Sequence, residues 1–336
     1  EEGYDNQAWG SRTQTGVSMP RCSFAAELES YGPQAPQPKR LSPRQSRRYC
    51  RRLARRHYEN FTVLSWFLPG HLRQHVANVY AYCRWADDLA DETGDPRRGL
   101  ALLGWWEGQV RECFAGRAAH PVFVALAETI RQFEIPPDPL LDLLVAFRQD
   151  QRVNRYETFD QLLNYCRYSA NPVGRLVLHL GRCHTPQRAR LADSISTGLQ
   201  LANFCQDVAG DWDRGRIYLP LSHCRRFEYD EADFAARHCN DNFRRLLATE
   251  VAEAEGFLRR GLPLVAQMPR DLRLPVALFV EGGLAILEAI RRQQYDVWSH
   301  RPSLARREKL NLALRCWWQL RRGTFHREDL AGQETP

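Results

Sequence analysis

The sequence has no Cys-x-x-Cys anywhere, although it carries ten cysteines. Its cysteine–histidine neighbours, Cys183–His184, His223–Cys224 and His238–Cys239, are adjacent and cannot span the usual zinc-ligand spacing. That excludes the common zinc modules. A chain of 336 residues with 43% hydrophobic content can build a full core, so buried free thiols are a better reading than a disulfide framework. No uncharged apolar run approaches the roughly 18 residues of a membrane span. The longest candidate, Leu272 to Ile290, is interrupted by Arg273, Glu281 and Glu288. Alternation with period two is nowhere sustained, there is no repeat of fixed period, and no signal-peptide pattern opens the chain. The expectation is a soluble, cytoplasmic protein that a lipid substrate could still bring to a membrane surface as a peripheral partner.

What is present is helical periodicity. Residues 1–42 are rich in Gly, Ser, Gln and Pro without period and read as a disordered or expression-derived leader. From Pro43 the spacing predicts helices near 43–58, 70–92, 99–116, 119–134, 137–150, 158–170, 172–182, 186–211, 240–267, 271–295 and 302–323. Pro69-Gly70, Gly94-Asp95-Pro96, Pro136-Pro137 and Pro269 mark joints between them. This predicts an all-α fold: one domain over residues 43–325, a bundle of more than ten helices with a central cavity, and a tail at 326–336. The net charge of +7 suits anionic partners. Residues 39–56 hold nine Arg or Lys and no acid, but with helical spacing and no nucleic-acid fold signature. A solvated or membrane-facing helix fits them better, and no nucleic-acid partner is expected. Nothing in the sequence indicates an oligomeric state.

The chemistry concentrates in two stretches. In Leu199–Pro220 (LQLANFCQDVAGDWDRGRIYLP) the residues Asn203, Asp207 and Asp211 step by four, with Gln200 beside them. At about 3.6 residues per turn they share one face. Stacked carboxylates repel unless a cation lies between them, and Mg²⁺ takes such oxygen ligands. The bland alternative is a solvated acidic face. Arg214, Arg216 and Tyr218 follow within seven residues, as a diphosphate would need, or merely to pair with the acids. The second stretch, residues 79–92 (VYAYCRWADDLADE), places Asp87 and Asp91 one turn apart, with Asp88 turned away and Arg84 and Tyr80 on or near the same side. These acids end a helix, where its dipole disfavours negative charge, so their placement calls for a functional reason. Helix 158–170 adds Tyr165, for which a buried hydroxyl with a hydrogen-bond partner is the default reading.

Two acid ladders 116 residues apart (207 − 91) could face each other across a bundle and hold two or three Mg²⁺ ions around one diphosphate. That arrangement suits ionisation of an allylic or cyclopropylcarbinyl diphosphate, with Tyr80, Tyr165 and Phe204 as aromatic faces for the carbocation.

The two stretches resemble the paired aspartate-rich motifs of the squalene/phytoene synthase family, the head-to-head isoprenoid synthases, over roughly residues 45–310. The resemblance implies that Asp87 and Asp91, with Asn203, Asp207 and Asp211, bind metal. It implies diphosphate contacts for Arg84 and Arg216, beside Asp88 and Gln200. His57, Phe61, Tyr80, Tyr165 and Tyr218 fall on positions lining the prenyl-diphosphate pocket. Residues 57–69, HYENFTVLSWFLP, carry an ENF-x-V-x-S-x-x-LP pattern similar to bacterial hydroxysqualene synthases of hopanoid pathways. That implies presqualene diphosphate as substrate, water as the quenching group and no NADPH. His57, Glu59 and Asn60, together with Tyr165, are the candidates for handling that water. Other head-to-head synthases condense two farnesyl or geranylgeranyl diphosphates, and that alternative stays open. A non-catalytic assembly or lipid-binding member is a further one, which the presence of all four acids disfavours. Gln206 departs from relatives with a basic residue before the first acid, Gly282-Gly283 replaces a tyrosine-bearing region, and His300-Arg301 leaves two candidates for one diphosphate contact.

Overall fold

Proline and hydroxyl or carboxamide caps set the helix starts. Thr158, Thr185 and Asn240 each accept a backbone N–H at the third residue inside the helix that follows, and Asp95 and His120 accept one at the second. Pro96, Pro121 and Pro186 then occupy the first turn, where a missing N–H costs nothing.

The computed structural model describes residues 24–36, 40–56, 67–91 and 94–325. Among these the chain forms helices α1 (Phe24–Tyr31), α2 (Pro43–Arg56), α3 (Arg73–Asp91), α4 (Pro96–Phe114), α5 (Pro121–Phe133) and α6 (Asp138–Asp150). They continue as α7 (Phe159–Ser169), α8 (Asn171–Leu180), α9 (Pro186–Gln206), α10 (Val208–Asp213), α11 (Leu221–Arg226) and α12 (Glu231–Ala235). The last are α13 (Asp241–Gly261), α14 (Pro263–Gln267), α15 (Arg270–Arg292) and α16 (Arg306–Arg322). No strand forms among the described residues beyond one parallel bridge between Arg155 and Ile217. The all-α expectation holds, with more than ten helices. Helix α1 lies within the segment read as a leader, and the described residues from Arg40 onward cluster as a compact unit.

Within that unit α9 is the central helix, packed against α8, α13 and α15. Glycines let it approach α13 closely. A Cβ on Gly198 would lie 2.8 Å from the Leu258 backbone nitrogen, and one on Gly261 would run into Ile195. A second packing centre joins α2, α3, α4 and α5. Trp85 and Trp106 stack there at 5.3 Å and Phe123 and Tyr82 close the cluster. Both tryptophans are fully buried, and truncating either to alanine costs about 3–5 kcal/mol. His120 caps α5 inside this aromatic cluster, and burial pushes it down to about 3, so it is neutral.

Two expected helices are divided. The 186–211 segment breaks at Asp207, and the 240–267 segment breaks at Leu262, before Pro263. The nine cysteines among the described residues are all free, seven of them buried. No helix among those residues is long and apolar enough to cross a membrane.

Candidate active site

Helix α3 buries Trp85, Ala86 and Leu89, which turns Asp87 and Asp91 toward the opposite, half-exposed side. Arg84 lies between its two acids. Its Nη1 is 3.2 Å from Asp87, and its Nη2 pairs closely with Asp88. Asp88 itself is buried at 5% exposure, so its carboxylate positions the guanidinium from beneath. Tyr80 is half-buried one turn earlier. Burial pushes its hydroxyl up to about 12, with Arg84 opposing.

The second ladder survives the break in its helix. Asp207 leaves helical geometry at φ −106°, ψ 15°, yet its N–H still donates to Asn203 O at 2.9 Å and its O accepts from Asp211 N at 2.8 Å. Asn203 is exposed and Gln200 half-buried on α9. Arg301 donates from Nε and, at 2.8 Å, from Nη2 to the Asp207 carboxylate. The same Nη2 reaches Gln206 Oε1 at 3.2 Å, and Gln206 Nε2 donates to Pro302 O. A cation is thus supplied to Asp207 from the α15–α16 connection. Of the pair His300-Arg301, it is Arg301 that meets the motif.

Asp211 is buried at 7% exposure. Desolvation, then the neighbouring Asp207 charge, pushes it up to about 7. After it the chain turns through Gly215, whose φ of +74° disfavours any residue with a Cβ. Arg155 donates to Gly215 O at 2.6 Å, and Ile217 N donates to Asn154 O at 2.9 Å. This pairing carries Arg216 across to the first motif, with Nη2 3.3 Å from Asp91 Oδ1.

Below the arginines lies an aromatic floor. Phe204 and Tyr218 stack at 4.0 Å with an 8° tilt, Tyr156 and Tyr218 at 5.8 Å, and Tyr165 contacts all three rings. The Tyr165 hydroxyl donates to Asp150 Oδ2 at 3.0 Å. Burial pushes the Asp150 carboxyl up to about 6, with Arg216 opposing. Its Oδ1 is buried without a hydrogen-bond partner among the described residues.

Asp150 and Tyr156 escape the reading of the sequence, and Arg301 enters it only as one of the His300-Arg301 pair. The helix-end argument applied to Asp87 and Asp91 applies equally to Asp150, the last residue of α6, and was the available signal. His57, Glu59, Asn60 and Phe61 lie outside the described residues.

Along α9 the four-residue stripe continues backward from Asp207 and Asn203 to Leu199 and Ile195. These last two line an apolar cavity with Val173, Val177, Met268 and Phe279. From Ile195 to Asp207 the rise is about 18 Å. The cavity is narrow, about 70 Å³. A larger one of about 930 Å³ lies elsewhere, between α13, α15 and α16, lined by ion pairs such as Arg291–Glu255 and Arg315–Glu281.

Among the described residues no three His, Cys, Asp or Glu side chains converge on one point. Mg²⁺ does not require that, because it binds through one or two carboxylates plus water and substrate phosphates. Oxygen-only donors in repelling pairs, one of them buried with its charge disfavoured, fit a hard divalent ion.

A sequence model of the family described as squalene/phytoene synthase matches residues 54–308. The chain belongs to this family of head-to-head prenyl synthases, enzymes that act on prenyl diphosphates and use a divalent metal for diphosphate ionisation. Among solved structures it is similar to the squalene synthase HpnC from Alicyclobacillus acidocaldarius. The identity is 46%, covering 75% of this chain and 95% of that one, with a TM-score of 0.72. A dehydrosqualene synthase crystallised with a ligand has 25% identity, covers 83% and 98% of the two chains, and gives a TM-score of 0.76. The phytoene synthase of Arthrospira platensis is 31% identical over 265 residues, 75% of this chain and 86% of that protein.

Proposed function

We propose that the protein is a hydroxysqualene synthase. It ionises presqualene diphosphate with Mg²⁺ and quenches the rearranged carbocation with water, giving hydroxysqualene and diphosphate. The C–O bond to diphosphate breaks with its electron pair on the leaving group. A water oxygen then bonds to carbon and releases a proton, so no reductant and no NADPH are consumed.

The observation that carries the reading is the Arg216–Asp91 contact, which joins the two acid motifs into one polar head. Beside it the stripe from Asp207 to Ile195 runs from acid to apolar cavity, suiting a molecule with a charged head and a long hydrocarbon body. The choice within the family is supported by residues 59–69. It is also supported by the 46% identity to a squalene synthase, against 31% or less to the phytoene and dehydrosqualene synthases compared above.

Asp87 and Asp91 on one side, with Asn203, Asp207 and Asp211 on the other, would hold the metal. When bound, Mg²⁺ neutralises diphosphate charge and makes it a better leaving group. Arg84, Arg216 and Arg301 stand beside these acids and present bidentate donors for the remaining diphosphate oxygens. Tyr165, Phe204 and Tyr218 exclude water and turn aromatic faces toward the cation. Asp150 fixes the Tyr165 hydroxyl as donor, which leaves that oxygen's lone pairs to accept a hydrogen bond from the quenching water.

A second reading, condensation of two farnesyl or geranylgeranyl diphosphates, is favoured by the phytoene synthase relatives. Product analysis separates the two. Presqualene diphosphate with Mg²⁺ and no NADPH should yield hydroxysqualene and diphosphate. Consumption of farnesyl or geranylgeranyl diphosphate alone, giving dehydrosqualene or phytoene, would refute the assignment.

A further inference from the structure

We propose that α16 is a membrane-surface helix that docks the protein onto anionic lipid. Leu310, Leu314, Trp317 and Trp318 are large apolar side chains exposed at 59%, 56%, 43% and 47%. They recur at i, i+4, i+7 and i+8 and so form one stripe. The helix packs through a different side, where Ala313 and Cys316 are buried and α15 is its neighbour. The exposed stripe is therefore surplus to the core.

Its charges select the occupant. The helix carries Arg306, Arg307, Lys309, Arg315, Arg321 and Arg322 against the single acid Glu308, a formal 6 − 1 = +5. Glu308 pairs with Arg292 at 3.3 Å and lies away from the stripe. Arg321 and Arg322 stack over Trp317 and Trp318 at 4.3 and 3.5 Å, so the cations edge the apolar strip. A second copy of the chain would bring two such cationic faces together, which repel. Nucleic acid would gain nothing from Leu310 and Leu314. An anionic bilayer satisfies both parts, taking the apolar side chains about 5–10 Å into the headgroup boundary and the arginines at its phosphates. The proposal stands on the helix alone and does not depend on the substrate assignment.

The test is sedimentation of the full chain with phosphatidylglycerol-containing vesicles and with pure phosphatidylcholine vesicles. The wild type should pellet with the anionic vesicles, be released by salt, and have its tryptophan emission quenched by brominated lipid. Leu310→Ser/Trp317→Ser should lower partitioning roughly tenfold or more. Arg307→Glu/Arg321→Glu should abolish it. Both variants should keep the wild-type melting temperature and turnover on detergent-dispersed substrate. Failure of the wild type to bind anionic vesicles would overturn the proposal. So would undiminished binding by both variants, binding lost only on reversing Arg51 and Arg55 of α2, or a wild-type dimer that dissociates in Leu310→Ser/Trp317→Ser.

Discussion

Arg216 reaches Asp91 across 125 residues of sequence, Nη2 to Oδ1 at 3.3 Å. Burial alone would lower this guanidinium's proton affinity, but Tyr218, Asp91 and Asp150 together raise it, so the charge is permanent. On the proposed reading, an arginine held by an acid of one motif and carried by the turn after the other is the hinge of a shared anion site. Arg216→Gln should lower kcat/KM about 10²-fold, the scale of one lost transition-state donor, with little change in melting temperature. Steady-state kinetics beside thermal melts check this.

Tyr165 and Asp150 act as a unit, because the hydroxyl donates to a carboxylate whose other oxygen is buried. Tyr165→Phe and Asp150→Asn should each reduce kcat more than they change KM. The double variant should lose little beyond the worse single. A product profile shifted toward unquenched hydrocarbon in Asp150→Asn would mark the positioning of Tyr165 rather than a loss of fold.

Away from the site, His223 Nδ1–H donates to the buried Glu250 carboxylate at 2.5 Å, and that hydrogen bond raises the imidazole above its ordinary 6.5. The sign follows directly. The folded state binds the proton more tightly than the unfolded one, so the stabilisation is complete below the unfolded value and lost as pH rises through the folded one. At high pH a neutral imidazole leaves Glu250 without a cation. The stability gap between wild type and His223→Gln, read by urea titration, should be largest below the ordinary imidazole value of 6.5 and shrink as the solution is made alkaline.

The helices were legible because their apolar spacing and their Pro and Gly joints are strong local signals, and Asp87, Asp91 and Asp211 were legible as ladders. What escaped were features decided by distant contacts. The break at Asp207 is not encoded by a proline or glycine at that position. It coincides with Arg301 and Pro302 folding back onto Gln206 and Asp207. Asp150 offers only its place at a helix end until α7 sets Tyr165 on it. The short helices α11 and α12 carry too few turns to show a period, and Asp230 fixes α12 through a capping box instead. The α16 segment was visible as a helix, but only its burial pattern showed that its apolar stripe is left exposed among the described residues.

The most direct test of a single clamp built from both motifs is calorimetric binding of a non-ionisable prenyl thiodiphosphate in the presence and absence of Mg²⁺. Binding should require Mg²⁺ and be lost equally in Asp91→Asn and in Asp207→Asn, although these residues lie in different motifs. Wild-type, Mg²⁺-dependent affinity in either variant would contradict the account.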